Sequence, residues 1–370
     1  MSVLLQNPFF EGISQKELAE QLETKKKCRD KLPTWFHTPN IYYPNKLNIE
    51  QTSSEQTAWY KATLVQGKTL LDLTGGFGVD TYFFSKKIDA VFHCEINAEL
   101  SEIAGHNFEM LGQRNVTFIP KDGIQYLKEV DKKYDWIYVD PSRRNDVKGK
   151  VFLLKDCLPN LTEHLSMIFE KTDSVLIKTS PLLDIKQGIC ELDFVKEIHV
   201  VAVNNEVKEL LFLLEKGYGD DVTLKTINIL HGQKMVFDFA LSKEQQIASE
   251  FSKPQQYLYE PNAAILKAGG FKSVGKAFGL KKLHQHSHLY TAMELLDFPG
   301  RRFKVLEVLP YSKNALKSFA QEKANITTRN FPISVSELRK RHKIKDGGSS
   351  YLFFTKTMDG SLVILDCRKI

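Results

Sequence analysis

Residues 69–97 read TLLDLTGGFGVDTYFFSKKIDAVFHCEIN, and this stretch decides the fold. An apolar strand, TLLDL, runs into a glycine-rich turn. A helix start follows, then a second strand closed by an acidic residue. That order is the layout of a nucleotide-binding βαβ unit. Asp72 ends the first strand. Gly75, Gly76 and Gly78 let the backbone turn tightly and approach a ligand with no Cβ in the way. Glu95 ends the second strand, about 20 residues on, where a carboxylate can accept from both ribose hydroxyls.

Outward from this unit, β and α patterns alternate. Strands are expected at 69–73, 90–95, 116–119, 135–140, 174–179, 197–203 and 209–215, and helices at 79–87, 97–111, 122–129 and 158–170. The early strands are continuous apolar runs, as parallel strands buried on both faces should be. The last two, EIHVVAV and ELLFLLE, are separated only by NNEVK. That is too short for a helical crossover, so they should pair antiparallel.

The turn reads Asp-Leu-Thr-Gly-Gly-Phe-Gly and not G-x-G-x-x-G, and Asp140-Pro141-Ser142-Arg143 follows the strand YDWIYV. Together these resemble motifs I and IV of the class I S-adenosylmethionine (SAM)-dependent methyltransferases, over roughly residues 55–215. The resemblance implies an α/β fold: a Rossmann-like, seven-stranded methyltransferase sheet. An N-terminal helical segment and a small α+β C-terminal region would flank it. The antiparallel pair near the end of the sheet favours SAM over a nicotinamide cofactor.

The resemblance assigns SAM to Asp72, Thr74, Gly75, Gly76, Gly78, Glu95, Asp122 and Gly123. Asp72 would hold the turn or reach the ligand's ammonium, and Glu95 would take the ribose. Thr74 stands where this family often has its first glycine. Asp122-Gly123, after VTFIP, matches the family's position for an acid contacting the adenine amino group. Asp122 also reads as a helix N-cap, and the two roles are compatible.

Asp140, Pro141, Ser142 and Arg143 sit where the methyl acceptor would lie. In methyltransferases acting on exocyclic amines the matching motif is Asp/Asn-Pro-Pro-aromatic. Its carboxylate and a backbone carbonyl accept from the NH₂, and its aromatic ring stacks on the base. Ser142 replaces the second proline and Arg143 the aromatic residue, although a guanidinium plane can also stack on a base. A Pro-Arg version occurs in enzymes that methylate pyrimidine C5 through a cysteine after the next strand. Here that place reads Lys178-Thr179-Ser180-Pro181. Serine without an activating base is a poor nucleophile, so direct transfer to nitrogen is favoured. Lys178 would contact a substrate phosphate, or simply snorkel at a strand end.

Net charge is +6, compatible with a nucleic-acid partner without requiring one. Arg143, Arg144, Lys148 and Lys150 follow motif IV, as a basic rim suited to a phosphodiester or as a solvated loop. Arg339, Lys340, Arg341, His342, Lys343 and Lys345 form a second basic concentration, which on a helix is usually a solvated face. This C-terminal region, roughly 325–370, resembles the THUMP-like appendage of some bacterial methyltransferases. THUMP domains bind RNA, so Arg339, Arg341 and Lys343 join Arg144 and Lys178 as candidate substrate-binding residues. His284, His286 and His288 alternate as on one face of a strand; metal binding is the weaker reading, and no metal is expected.

The five cysteines are scattered, with no C-x-x-C pair, and read as free thiols of a reducing compartment. No apolar run reaches the ~20 residues that span a bilayer, and the N-terminus does not read as a signal peptide. Cytoplasm is the expectation. Five segments are expected: helical and extended to 60, the SAM-binding domain over 61–216, a connecting hairpin and helices over 217–282, a small α+β unit over 283–325, and the THUMP-like region over 326–370. Residues 31–50 should be extended, and NALKSFAQEK should be a helix. The expected function is SAM-dependent methylation of a base nitrogen in structured RNA, tRNA or rRNA. The alternatives are a small-molecule or protein acceptor, or an RNA-binding protein with a vestigial methyltransferase fold.

Overall fold

The computed structural model describes residues 14–143 and 153–370. The chain divides into two compact units, 1–198 with 209–220, and 199–208 with 221–370.

The first unit begins with helices α1 (Gln15–Lys31), α2 (Pro33–His37), α3 (Lys46–Gln51) and α4 (Glu55–Ala62). Ser14 caps α1 by accepting from Glu17 N, but the Glu17 carboxylate accepts from the Tyr42 hydroxyl instead of closing a capping box. Residues 31–50 are not simply extended. Pro33 starts α2, and Asn45 caps α3 through its side chain, so two short helices interrupt the segment. Its apolar side chains Leu32, Trp35, Tyr43 and Ile49 pack with Phe77, Tyr82, Leu100 and Phe108. Trp35 is fully buried and meets Tyr82 edge-on at 4.9 Å. Deleting a ring so placed costs about 3–5 kcal/mol, which ties the N-terminal segment to the wall of the glycine turn.

The α/β alternation follows as β1 (Thr69–Asp72), α5 (Val79–Phe84), β2 (Ala90–Cys94), α6 (Ala98–Met110), β3 (Val116–Ile119), α7 (Gly123–Glu129) and β4 (Trp136–Val139). Then come the two-residue strands β5 (Ser142–Arg143) and β6 (Cys157–Leu158), followed by α8 (Leu161–Lys171), β7 (Ser174–Thr179), α9 (Ile185–Glu191), β8 (Val195–Val203) and β9 (Glu206–Glu215). Helix α9, in IKQGICE, has no counterpart in the sequence expectation; Gly188 in its middle weakens its signal. Strands β3, β2, β1, β4 and β7 pair parallel, and β9 pairs antiparallel to β7. Asn204 and Asn205, both at positive φ, join β8 to β9 as a two-residue hairpin turn. The order β8-β9-β7-β4-β1-β2-β3 is the seven-stranded sheet expected. The hairpin β10 (Thr223–Leu230) and β11 (Gln233–Ala240) follows β8 and extends the order to nine.

The second unit continues with α10 (Leu241–Gln246), β12 (Tyr257–Pro261), α11 (Ala263–Ala268), α12 (Phe271–Ala277), β13 (Lys281–Lys282) and β14 (Tyr290–Ala292). It closes with β15 (Gly300–Pro310), β16 (Lys323–Arg329), α13 (Val335–His342), β17 (Lys345–Lys356) and β18 (Leu362–Lys369). These strands form a second sheet, in the order β13-β14-β12-β15-β18-β17-β16. Two expectations fail here. NALKSFAQEK supplies only a 3-10 turn at Lys317–Phe319 before β16 begins, because Leu316 and Ala324 are drawn into a core with Leu338 and Phe354. His284, His286 and His288 lie in a turn between β13 and β14 and not on a strand; His288 takes a φ of 51°.

Candidate functional site

The carboxyl ends of β1, β2 and β4 bring the first group of predicted residues together. Beyond Asp72 the chain reverses through Gly76 and Gly78, at φ of 56° and 84°, a region that penalises any side chain. Gly75 N donates to Cys94 O at 2.7 Å, which fastens the turn to β2. A Cβ on Gly75 would collide with the ring of His93, and one on Gly123 with the carbonyl oxygen of Leu73. His93 is fully buried, neither ring nitrogen has a hydrogen-bond partner among the described residues, and burial lowers it to about 4. It is a neutral floor under the turn.

Asp72 is 1% exposed. One oxygen accepts from Thr74 N at 2.9 Å, the other from the Thr81 hydroxyl at 2.7 Å. Burial still raises its carboxyl to about 7, with the charges of Asp80 and Asp140 acting in the same direction. Of the two roles open to Asp72, this geometry serves the turn. Glu95 is half-buried and accepts from Gly76 N at 2.9 Å and from Asn97 N at 2.7 Å. Each carboxylate oxygen can accept a further bond, so the pair fits a vicinal diol. Ile96 beside it is 72% exposed and offers an apolar face at the same edge. Asp122 accepts from Gln125 N at 2.8 Å as the N-cap of α7. The donor set, the left-handed glycines and the apolar lip fit the cofactor that the sequence implies.

Thr74 departs from the family pattern, and its hydroxyl has a use. It accepts from Asp140 N at 2.7 Å, so the glycine turn and motif IV are hydrogen-bonded to each other. The Asp140 side chain is 34% exposed, and its carboxylate is ion-paired with Lys178. Pro141 is buried; Ser142 is exposed and pairs with Leu158 across β5–β6. Arg143 lies in β5 opposite Cys157. Arg144, Lys148 and Lys150 lie outside the described residues.

Sequence reasoning missed a buried charge network behind this pair. Lys61, fully buried, donates to both Glu209 oxygens at 2.9 and 2.7 Å and lies 3.1 Å from Asp80. Asp80 also accepts from Ser53 at 2.9 Å and from Tyr138 at 2.8 Å. Burial alone would raise Asp80, but Lys61 and Lys178 hold it below the usual carboxylate range. The signal was present: each is a charge inside an apolar run, in AWYKATL, GVDTYFF and KELLFLLE.

The second basic group divides in two. Arg339 donates to Ala324 O at 3.1 Å and pairs with Asp346, which locks α13 to β16 and β17. Arg341 is exposed and pairs with Glu337 one turn back, and Lys343 is exposed at the helix end. Lys323 and Lys345 are both exposed and stand opposite each other in the β16–β17 register. Like charges so placed repel unless an anion comes between them. Among the described residues, no group of three or more His, Cys, Asp or Glu could hold a metal ion.

Comparison with known proteins adds four findings. Residues 257–299 match a ferredoxin-like domain family, and residues 300–369 match a THUMP domain-like family. A solved structure from Porphyromonas gingivalis W83, described as a candidate methyltransferase, is 35% identical and superposes with a TM-score of 0.92, covering 99% of this chain and 93% of that one. An uncharacterised RNA methyltransferase of Mycoplasma mobile is 32% identical over 99 residues, 27% of this chain and only 27% of that protein's length.

Proposed function

Because the chain belongs to the class I SAM-dependent methyltransferase family, of the bacterial type with a THUMP-like C-terminal region, we propose that it transfers methyl from SAM to a base nitrogen of structured RNA, tRNA or rRNA. The observation that carries this reading is the hydrogen bond from Asp140 N to the Thr74 hydroxyl. It couples the cofactor turn to the acceptor carboxylate through one contact. RNA as the acceptor is supported by the Mycoplasma mobile relative, by the THUMP-like match, and by exposed Arg341, Lys323, Lys343 and Lys345. The free cysteines suit the cytoplasm, and no described helix is long and apolar enough to cross a membrane.

Glu95 would accept from the ribose hydroxyls, while Gly75, Gly76 and Gly78 would leave room for the amino-acid portion of the cofactor. Asp72 holds Thr74 and Thr81, so the turn keeps its shape before ligand arrives. Gly123 lets α7 start against β1, and Asp122, already the helix cap, would take the adenine amino group. When bound, SAM supplies an electrophilic methyl group on its sulfonium. Asp140 accepts an N–H of the target base and so aims the nitrogen lone pair. Pro141, Ser142 and Arg143 complete the acceptor loop, and Arg144, next in sequence, would add positive charge for the RNA. Catalysis rests on positioning more than on acid–base chemistry, and the displaced proton leaves to solvent.

Transfer of labelled methyl from SAM to RNA from a strain lacking this protein tests the reading, with DNA, protein extract and small-molecule extract in parallel. Label confined to RNA is the expected result. Label in another fraction alone overturns RNA as the acceptor. No SAM binding would favour a vestigial fold.

A further inference from the structure

Sheet register puts Lys178 beside the acceptor carboxylate. Strands β4 and β7 run parallel with Val139 opposite Ile177. One residue further, Asp140 and Lys178 fall side by side at the carboxyl end of the sheet. The Lys178 ammonium meets Oδ2 of Asp140, and the lysine side chain is only 14% exposed. A lysine serving a phosphate would present its ammonium to solvent. Burial acts to lower Lys178, yet the carboxylates of Asp140, Asp80 and Glu209 together raise it above the usual lysine range, so it stays charged. Asp80 and Glu209 are themselves fixed by Lys61. The ammonium therefore sits among buried charges, with one contact directed at the partly exposed carboxylate.

We propose that Lys178 is a positioning residue for Asp140: it occupies Oδ2, fixes the plane of the carboxylate, and leaves Oδ1 for the N–H of the methyl acceptor. This rests on the reading of Asp140 as the acceptor-orienting group. It replaces the phosphate contact expected for Lys178 from the sequence. Lys61, Asp80 and Glu209 act one step further back, as the frame that keeps the ammonium in place.

Two readouts test it. The first needs no substrate: crystal structures of the full chain as wild type and as Lys178→Met. The Asp140 carboxylate should turn or become disordered in the variant; an unchanged carboxylate overturns the proposal. The second is kinetic, on the acceptor that wild type methylates. Lys178→Met should lower kcat by ~10²-fold, with the SAM Kd and the acceptor KM within about 3-fold of wild type. Lys178→Arg, which can still reach Oδ2, should recover part of kcat and remains informative if the methionine variant folds poorly. Adding Lys178→Met to Asp140→Asn should cost little beyond Asp140→Asn alone, since the lysine acts through the aspartate. A raised KM with kcat intact and a salt slope reduced by about one would mean a phosphate contact instead, and would overturn positioning. If wild type methylates no RNA, the RNA reading fails while the structural comparison still decides the role of Lys178.

Discussion

Asp72 and Asp140 stand at the ends of neighbouring strands of one sheet, and the protein uses them differently. Asp72 is sealed in, with both oxygens engaged by the turn it supports. Asp140 is one-third exposed, with a lysine on one oxygen and its backbone N–H tied to Thr74. Chemically identical groups in near-identical topological positions become a sealed scaffold and a partly exposed, lysine-paired group. Burial and the nearest partner decide the difference. A carboxylate without water must be satisfied by fixed donors; one at the surface with a charged neighbour keeps a free lone pair in a defined direction.

The sharpest test of this contrast is Asp140→Ala. Transfer should fall by at least ~10³-fold while the SAM Kd stays within about 3-fold, read by labelled-methyl transfer and calorimetry. Equal loss of SAM binding would erase the distinction between the two aspartates. Next is Gly75→Ala, whose Cβ enters the space of the His93 ring. SAM affinity should drop by ~10²-fold, and the double variant Gly75→Ala/His93→Ala should regain part of it. A fully tolerated alanine would mean that the turn is softer than its packing implies.

A smaller effect is expected for Thr74→Val, which keeps shape and loses the acceptor for Asp140 N. We expect kcat to fall by ~10-fold, more than SAM affinity, since the half-buried contact joins the two loops. The smallest concerns the pH dependence of stability. The folded Asp72 carboxyl lies at about 7, above its unfolded value near 4. The native state therefore holds its proton to higher pH than the unfolded chain does. Its contribution to stability falls as pH rises from ~4 to ~7 and is level beyond. Relative to Asp72→Asn, the wild-type Tm should decline by a few degrees across that window, roughly what a shift of this sign produces in a large chain. A constant difference between the two melting curves would place the Asp72 titration elsewhere. His93, lowered to about 4, works in the opposite direction as pH falls below ~6.5 and is common to both proteins.

Much of the glycine turn and its flanking carboxylates was legible from sequence because the signals are local. Left-handed turn positions demand glycine, strand ends demand the right polar group, and both are read within a few residues. The acceptor side was less legible. Lys178 read either as a phosphate contact or as a lysine snorkelling at a strand end, since its partner Asp140 lies 38 residues away. Residues 31–50 read as extended because their prolines and aromatics mask two short helices held by packing on Tyr82 and Phe108. The segment after Asn314 read as a helix on propensity, and burial of Leu316 and Ala324 overrode it.

The sequence alone determined the βαβ layout, the antiparallel pairing of the strands on either side of NNEVK and the glycine turn, and it carried the family resemblance. The first three follow from backbone sterics and hydrophobic period, which act between near neighbours; the family resemblance rests on the motifs at Asp72–Gly78 and Asp140–Arg143. The tertiary structure alone decided that Thr74 joins the two motifs, that Asp72 faces inward, and that Lys61, Asp80, Glu209 and Lys178 form one buried network behind Asp140. Those outcomes depend on which charges share a low-dielectric interior, and chain folding sets that, not spacing along the chain.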